Sequence, residues 1–196
     1  MRTSRAGFTL LELLIALGLL GLVITNVFMV LGDSSKALGS KNSSFAADAQ
    51  ARRTLDRIAM SVIGASRDSL VVAVEPPAFR TELYYQTSLG WQGGEMVASN
   101  PQKVAMVGEN PREVVWCENP GQPDEKRIVW SKWVGEYMEG EFPNGEDDND
   151  NGLIDERGLC FVVEGNRVII RLTIEKPGPD GKLYRRKLET TVTCRN

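Results

Sequence analysis

The chain has 196 residues, 42% hydrophobic and 25% charged, with 23 basic against 26 acidic side chains and no histidine. The missing imidazole excludes Ser-His-Asp and Cys-His catalysis, histidine-ligated zinc and imidazole proton shuttles. The mildly acidic balance gives no footprint for general nucleic-acid binding, so no nucleic-acid partner is expected.

The first element is a membrane-length helix behind a basic leader. Residues 1–7 read Met-Arg-Thr-Ser-Arg-Ala-Gly, and an apolar run begins at Phe8. From 8 to 31 the one ionisable side chain is Glu12, fifth counting from Phe8. A helix over this run spans roughly 36 Å at ~1.5 Å per residue, enough for a bilayer core of ~30 Å. Arg2 and Arg5 precede it and no Lys or Arg follows until Lys36, so the positive-inside rule keeps the leader cytoplasmic and sends the rest outward. A secretory signal fits less well. Its apolar core is typically 7–15 residues, and Gly32-Asp33-Ser34-Ser35 is a poor cleavage site.

The unit Gly7-Phe8-Thr9-Leu10-Leu11-Glu12 resembles the type III signal peptide of the type IV pilin superfamily. The resemblance implies that a prepilin peptidase cuts between Gly7 and Phe8 and methylates the new amino terminus at Phe8. It also implies that Glu12 pairs with the free amine of a neighbouring subunit during filament assembly. Glu12 has a second explanation, since an anion one turn from a helix N-terminus is favourable and lies close to the headgroups. Removing the leader takes away two arginines and no acid, leaving 21 basic against 26 acidic residues.

After the apolar run, residues 32–44 are rich in Gly, Ser, Asp and Asn, which weakens a helix locally. Ala47, Ala51, Leu55, Ile58 and Val62 then recur at helical spacing as one apolar stripe, with Arg52, Arg53, Asp56, Arg57 and Arg67 opposite. The pattern predicts one long helix over 8–65, bent or loosened at 32–44, whose second half packs on a sheet. The expected organisation is a leader at 1–7, a transmembrane and assembly helix at 8–31, its continuation at 32–67, and a head at 68–196.

Beyond Asp68 the chain turns to strand character. Runs at 70–74, 82–86, 103–107, 113–117, 127–134, 159–163, 167–175 and 182–193 are rich in Val, Ile, Tyr, Trp or Thr. Gly165-Asn166 suits a two-residue hairpin turn, and the stretch from Pro177 to Gly181 suits a longer loop. The last three strands read as an antiparallel meander. No strand–helix alternation follows residue 68, so the fold class is α+β, a long N-terminal helix packed on an antiparallel head. Trp130 and Trp133 differ by an odd number and are expected on opposite sheet faces.

Two readings fit Cys117, Cys160 and Cys194: one disulfide with a lone thiol, or three buried free thiols. The hairpin at Gly165-Asn166 places Cys160 opposite Arg171. Pairing Lys176 with Lys182 places Cys194 opposite Glu164, about 23 Å from Cys160 along the sheet at ~3.3 Å per residue. A disulfide needs Cα atoms within about 7 Å, which makes Cys117 the better partner for either Cys160 or Cys194.

Residues 135–156 hold nine carboxylates and no basic residue. Within the loop at 144–158, Asp147, Asn149, Asn151, the Leu153 carbonyl and Asp155 fall at positions one, three, five, seven and nine, with Gly152 turning at six. Calcium takes six to eight hard oxygens, and this spacing wraps a loop around such an ion. The run resembles the calcium loops of dockerin-like and other extracellular repeats. Position twelve is Gly158, so the bidentate glutamate of an EF-hand is missing and the expected affinity is weak.

No nucleophile sits with a base and no Gly-rich phosphate loop follows a strand, so the expectation is a non-enzymatic subunit. Head size, the Arg-containing Ala-rich helix and the late Tyr184-Arg185-Arg186-Lys187 run look most like the J-type minor pseudopilin of type II secretion. The W-type minor pilin of type IV pili is the close alternative, and a pilus-tip binding module is the second class. The resemblance implies other major and minor pseudopilins or pilins as partners. It places the chain in the inner membrane with a periplasmic head, extracted into the filament on assembly.

Overall fold

The computed structural model describes residues 9–70, 79–109, 111–178 and 180–194. Among the described residues, one α-helix, α1 (Leu10–Ile63), is followed by nine strands in three antiparallel groups. The chain is thus an α+β fold with a pilin-like architecture. Strands β1 (Glu82–Tyr85), β4 (Gln102–Val107), β5 (Glu113–Glu118) and β6 (Lys126–Lys132) form one sheet in the order β1-β4-β5-β6. Strands β2 (Ser88–Gln92) and β3 (Glu95–Ala98) form a separate hairpin. Strands β7 (Leu159–Glu164), β8 (Arg167–Pro177) and β9 (Leu183–Thr193) form the meander.

The apolar stripe decides how the helix docks. Ala47, Ala51, Leu55, Ile58 and Val62 are all buried, and α1 packs mainly on β8 and β9. Small alanines at the first two positions let the helix approach closely, while the three larger residues fill the space over Val168, Ile170, Leu172 and Ile174. Residues at even numbers along β8 face the helix, as a two-residue repeat requires. Asp48 ties the edge of this contact, accepting from Arg186 on β9 at 2.6 Å and from Arg52 at 2.8 Å.

α1 runs without interruption through 32–44, so the loosening expected there is not found. Ser40 and Ser43 turn their hydroxyls back onto the carbonyls of Ala37 and Gly39, satisfying themselves inside the helix rather than competing with it. The expected strand at 70–74 lies mostly outside the described residues; Leu70, which is described, closes a short 3-10 turn over Arg67–Ser69.

The meander keeps its expected first register, with Glu164 opposite Arg167 and Cys160 opposite Arg171. The second register differs by two residues, because β8 continues to Pro177 and the turn closes through Gly178 N–H donating to the Lys182 carbonyl. Lys176 therefore pairs with Tyr184 rather than Lys182, and Cys194 lies against Asn166. An even slip leaves every side chain on its expected face.

Both faces of this sheet are covered. Leu159, Cys160 and Phe161 are buried in succession, which one covering layer cannot do for alternating side chains. The second layer is the acidic loop: Thr173 donates to Met138 Sδ, Arg171 reaches Glu156, and Gly135 and Gly158 bridge onto the Thr173 backbone. Gly158 sits so close to Gly135 that a Cβ there would lie 2.0 Å from its carbonyl oxygen.

Candidate functional site

Two regions carry chemistry beyond packing. The first is the amino-terminal half of α1. Thr9 caps the helix, its Oγ1 accepting the Glu12 N–H at 3.2 Å, while Thr9 N–H and hydroxyl donate to Glu12 Oε2 at 2.9 and 3.0 Å. This reciprocal capping box satisfies amide donors that a helix start otherwise leaves open. Beyond it the large apolar side chains from Leu10 to Leu31 are exposed, and the span reaches a mean hydropathy of 2.5. Such a surface is stable in hydrocarbon or against another apolar helix, not in water.

The second region is the acidic loop. Asp147 accepts the N–H groups of Asn151 at 3.1 Å and Gly152 at 2.7 Å. Desolvation opposes its ionised form, but those amides outweigh it and hold the Asp147 carboxyl below its ordinary range. Gly152 turns the chain with φ of 86°. Asn151 Oδ1 accepts the Leu153 N–H at 2.9 Å. Asp155 faces the other way, with its oxygens on the N–H groups of Asn144 and Gly145.

Asn149 and Asn151 instead converge on Glu156, donating to its Oε2 at 3.1 and 2.7 Å. Glu156 is fully buried and its Oε1 accepts from Arg171 at 2.7 Å. Glu141 joins the cluster by accepting from Asn149 Nδ2, and its carboxyl is pushed up by burial and then by the Glu156 charge. Sequence spacing did not single out Glu141, because it precedes the repeat-like run; the one signal was its membership of the nine carboxylates.

The amino-terminal segment decides the wider reading. Residues 2–25 match the family model of the prokaryotic N-terminal methylation motif. The chain carries a pilin-like prepilin signal. Comparison with curated proteins and with solved structures returned no match. The methylation motif supports a type IV pilin-like protein, pilin or pseudopilin, and implies processing by a prepilin peptidase and assembly with other pilin-like subunits. Its apolar helix is compatible with a membrane anchor. Gly7 and Phe8, the residues flanking the expected cut, lie outside the described residues, whereas Glu12 stands in the first turn of the motif's helix.

The cysteines take no part in either region's cross-linking. Cys117, Cys160 and Cys194 are buried free thiols, so of the two readings the three free thiols match the structure and the bridge from Cys117 to Cys160 or Cys194 does not. Cys117 belongs to the β1-β4-β5-β6 sheet, while Cys160 and Cys194 belong to the meander strands or their end. Burial pushes the Cys160 thiol up to about 12, reinforced by the Glu156 charge.

Trp130 is the extra residue of a bulge between β5 and β6 and stacks on Trp116 with centroids 6.3 Å apart. Trp133 lies past the end of β6 at a φ of 65°, so simple strand alternation does not govern the pair. A groove of about 590 Å³ runs between α1 and β6, lined by Arg53, Arg57, Trp130 and Lys132 among others.

Proposed function

We propose that this chain is a minor pseudopilin of the J type, a structural subunit of the periplasmic pseudopilus of a type II secretion system, in a tip or priming complex. The observation that carries the reading is the pairing of the methylation motif with an apolar helix surface left wholly open from Leu10 to Leu31. That surface has two successive environments, the inner membrane before assembly and neighbouring helices after it. Glu12 then pairs with the amine of an adjacent subunit's Phe8, exchanging part of its internal capping contact for an intermolecular one. The head, held to the second half of α1, stays on the filament exterior as the contact surface for other minor subunits.

The W-type minor pilin is the neighbouring reading, and deletion of the gene separates the two. Loss of secreted protein with surface pili intact supports the pseudopilin; loss of pili with secretion intact supports the pilin. One observation favours a further role as a tip binding module. Leu89 and Trp91 are 68% and 71% exposed on the same strand of the β2–β3 hairpin, where an aromatic and an aliphatic side chain are available to a partner. Trp91→Ala is expected to weaken adhesion or partner capture without changing subunit processing, read by binding of assembled filaments.

A further inference from the structure

Glu141 poses a charge problem that filament assembly does not address. It is 5% exposed, its Oε2 has no hydrogen-bond partner, and Asn149 Oδ1 in the same cluster is buried and unpartnered too. Asn149 Nδ2 is shared between Glu141 Oε1 and Glu156 Oε2. The Arg171 guanidinium serves Glu156 and is divided with Glu189, while the neighbouring Arg157 pairs with Glu136 at 3.5 Å. Among the described residues Glu141 makes no salt bridge, and 135–156 contains no basic side chain. A water molecule would satisfy the open oxygens but leave the charge. A proton would remove the charge and supply one O–H donor. A cation would remove the charge and be met by both open oxygens together.

We infer that Glu141 and Asn149, placed beside the buried Glu156–Arg171 pair, supply the inner oxygens of a calcium site that fastens the acidic loop to β7 and β8. The available donors are carboxylate and amide oxygens, the hard ligands calcium prefers, and its flexible coordination of six to eight oxygens lets loop carbonyls and water supply the rest. The cluster offers no imidazole and its open atoms are oxygens, a donor set that favours a hard cation over a transition metal. Magnesium demands near-octahedral geometry and sheds water reluctantly, which fits a mixed amide and carboxylate pocket poorly. The site shares Asn149 with the spacing-based set; its open oxygens are Glu141 Oε2 and Asn149 Oδ1, whereas those of Asp155 are hydrogen-bonded to Asn144 and Gly145 and those of Glu156 to Asn149, Asn151 and Arg171. The inference is independent of which filament the chain joins.

The test uses the full chain in detergent micelles after washing with chelator. Calcium chloride at about 10 mM is expected to raise the melting temperature by several degrees, because ligand that binds only the folded state stabilises it. Magnesium chloride at the same ionic strength is expected to give little, and Asp150→Asn, an exposed loop carboxylate, to leave the response intact. Glu141→Gln is isosteric and removes the unpaired charge, so it should fold as well as wild type in chelator while its calcium midpoint weakens by about tenfold or more. Calorimetry of the wild-type chain should show one saturable calcium event per chain. The inference is overturned if wild type shows no saturable calcium heat, if magnesium reproduces the shift, or if Glu141→Gln keeps the wild-type midpoint.

Discussion

At the scale of single residues, the head is governed by close approaches that spacing alone does not disclose. Gly158 looked like a missing ligand at the twelfth loop position; in the fold it is the point where the loop backbone meets Gly135. Gly158→Ala is therefore expected to destabilise the head by about 1–3 kcal/mol or more through forced backbone movement, read from urea unfolding midpoints. The three thiols were legible as buried or bridged but not which, because a disulfide depends on the packing of two sheets that sequence does not fix. With Cys160 at 0% exposure and its thiol near 12, alkylation at neutral pH should require unfolding. Rapid labelling of Cys160 in the native head would contradict its placement.

Among the elements, the helix and the meander were the most readable because their signals are periodic. The stripe from Ala47 to Val62 gave the buried face of α1 residue by residue, and Gly165-Asn166 pinned the β7–β8 register. The β2–β3 hairpin was missed, although Gly93-Gly94 is a turn signal and both glycines adopt positive φ. Its strands, Ser-Leu-Gly-Trp-Gln and Glu-Met-Val-Ala, lack the β-branched density used to find the others. Ile58 is completely buried between α1 and the meander, so Ile58→Ala should cost about 2–5 kcal/mol and lower the melting temperature of the head. Asp48 offers a pH-dependent test of the same interface. The Arg52 hydrogen bond, with Arg186, holds its carboxyl below the usual range, so its contribution is present above the ordinary aspartate range and lost as pH falls through the lowered value. Asp48→Asn should remove that part of the acid dependence, comparing unfolding midpoints at about pH 5 and about pH 3. The effect should be small, since the pair is solvent-exposed.

For the whole molecule, one chain contains two solvation problems joined by a continuous helix. From Leu10 to Leu31 α1 is apolar and open; from Ala47 onward it is amphipathic and closed against the head. That division was legible because the change in patterning is abrupt and Lys36 marks the first cation after it. The loop cluster was only half legible: its composition showed a dense run of carboxylates, but which of them meet depends on the fold bringing Glu141 beside Asn149 and Glu156. The choice between pseudopilus and pilus lies in contacts with other chains, and one sequence records its own packing far better than its partners'.

The most direct test of the account is the mature amino terminus. The full chain should be co-expressed with a prepilin peptidase and its terminal peptide read by mass spectrometry. Cleavage after Gly7 with a methylated Phe8 is the predicted result, and Gly7→Val should leave the precursor uncut. A wild-type chain that remains intact, or one cut near Ser34, would contradict filament-subunit processing.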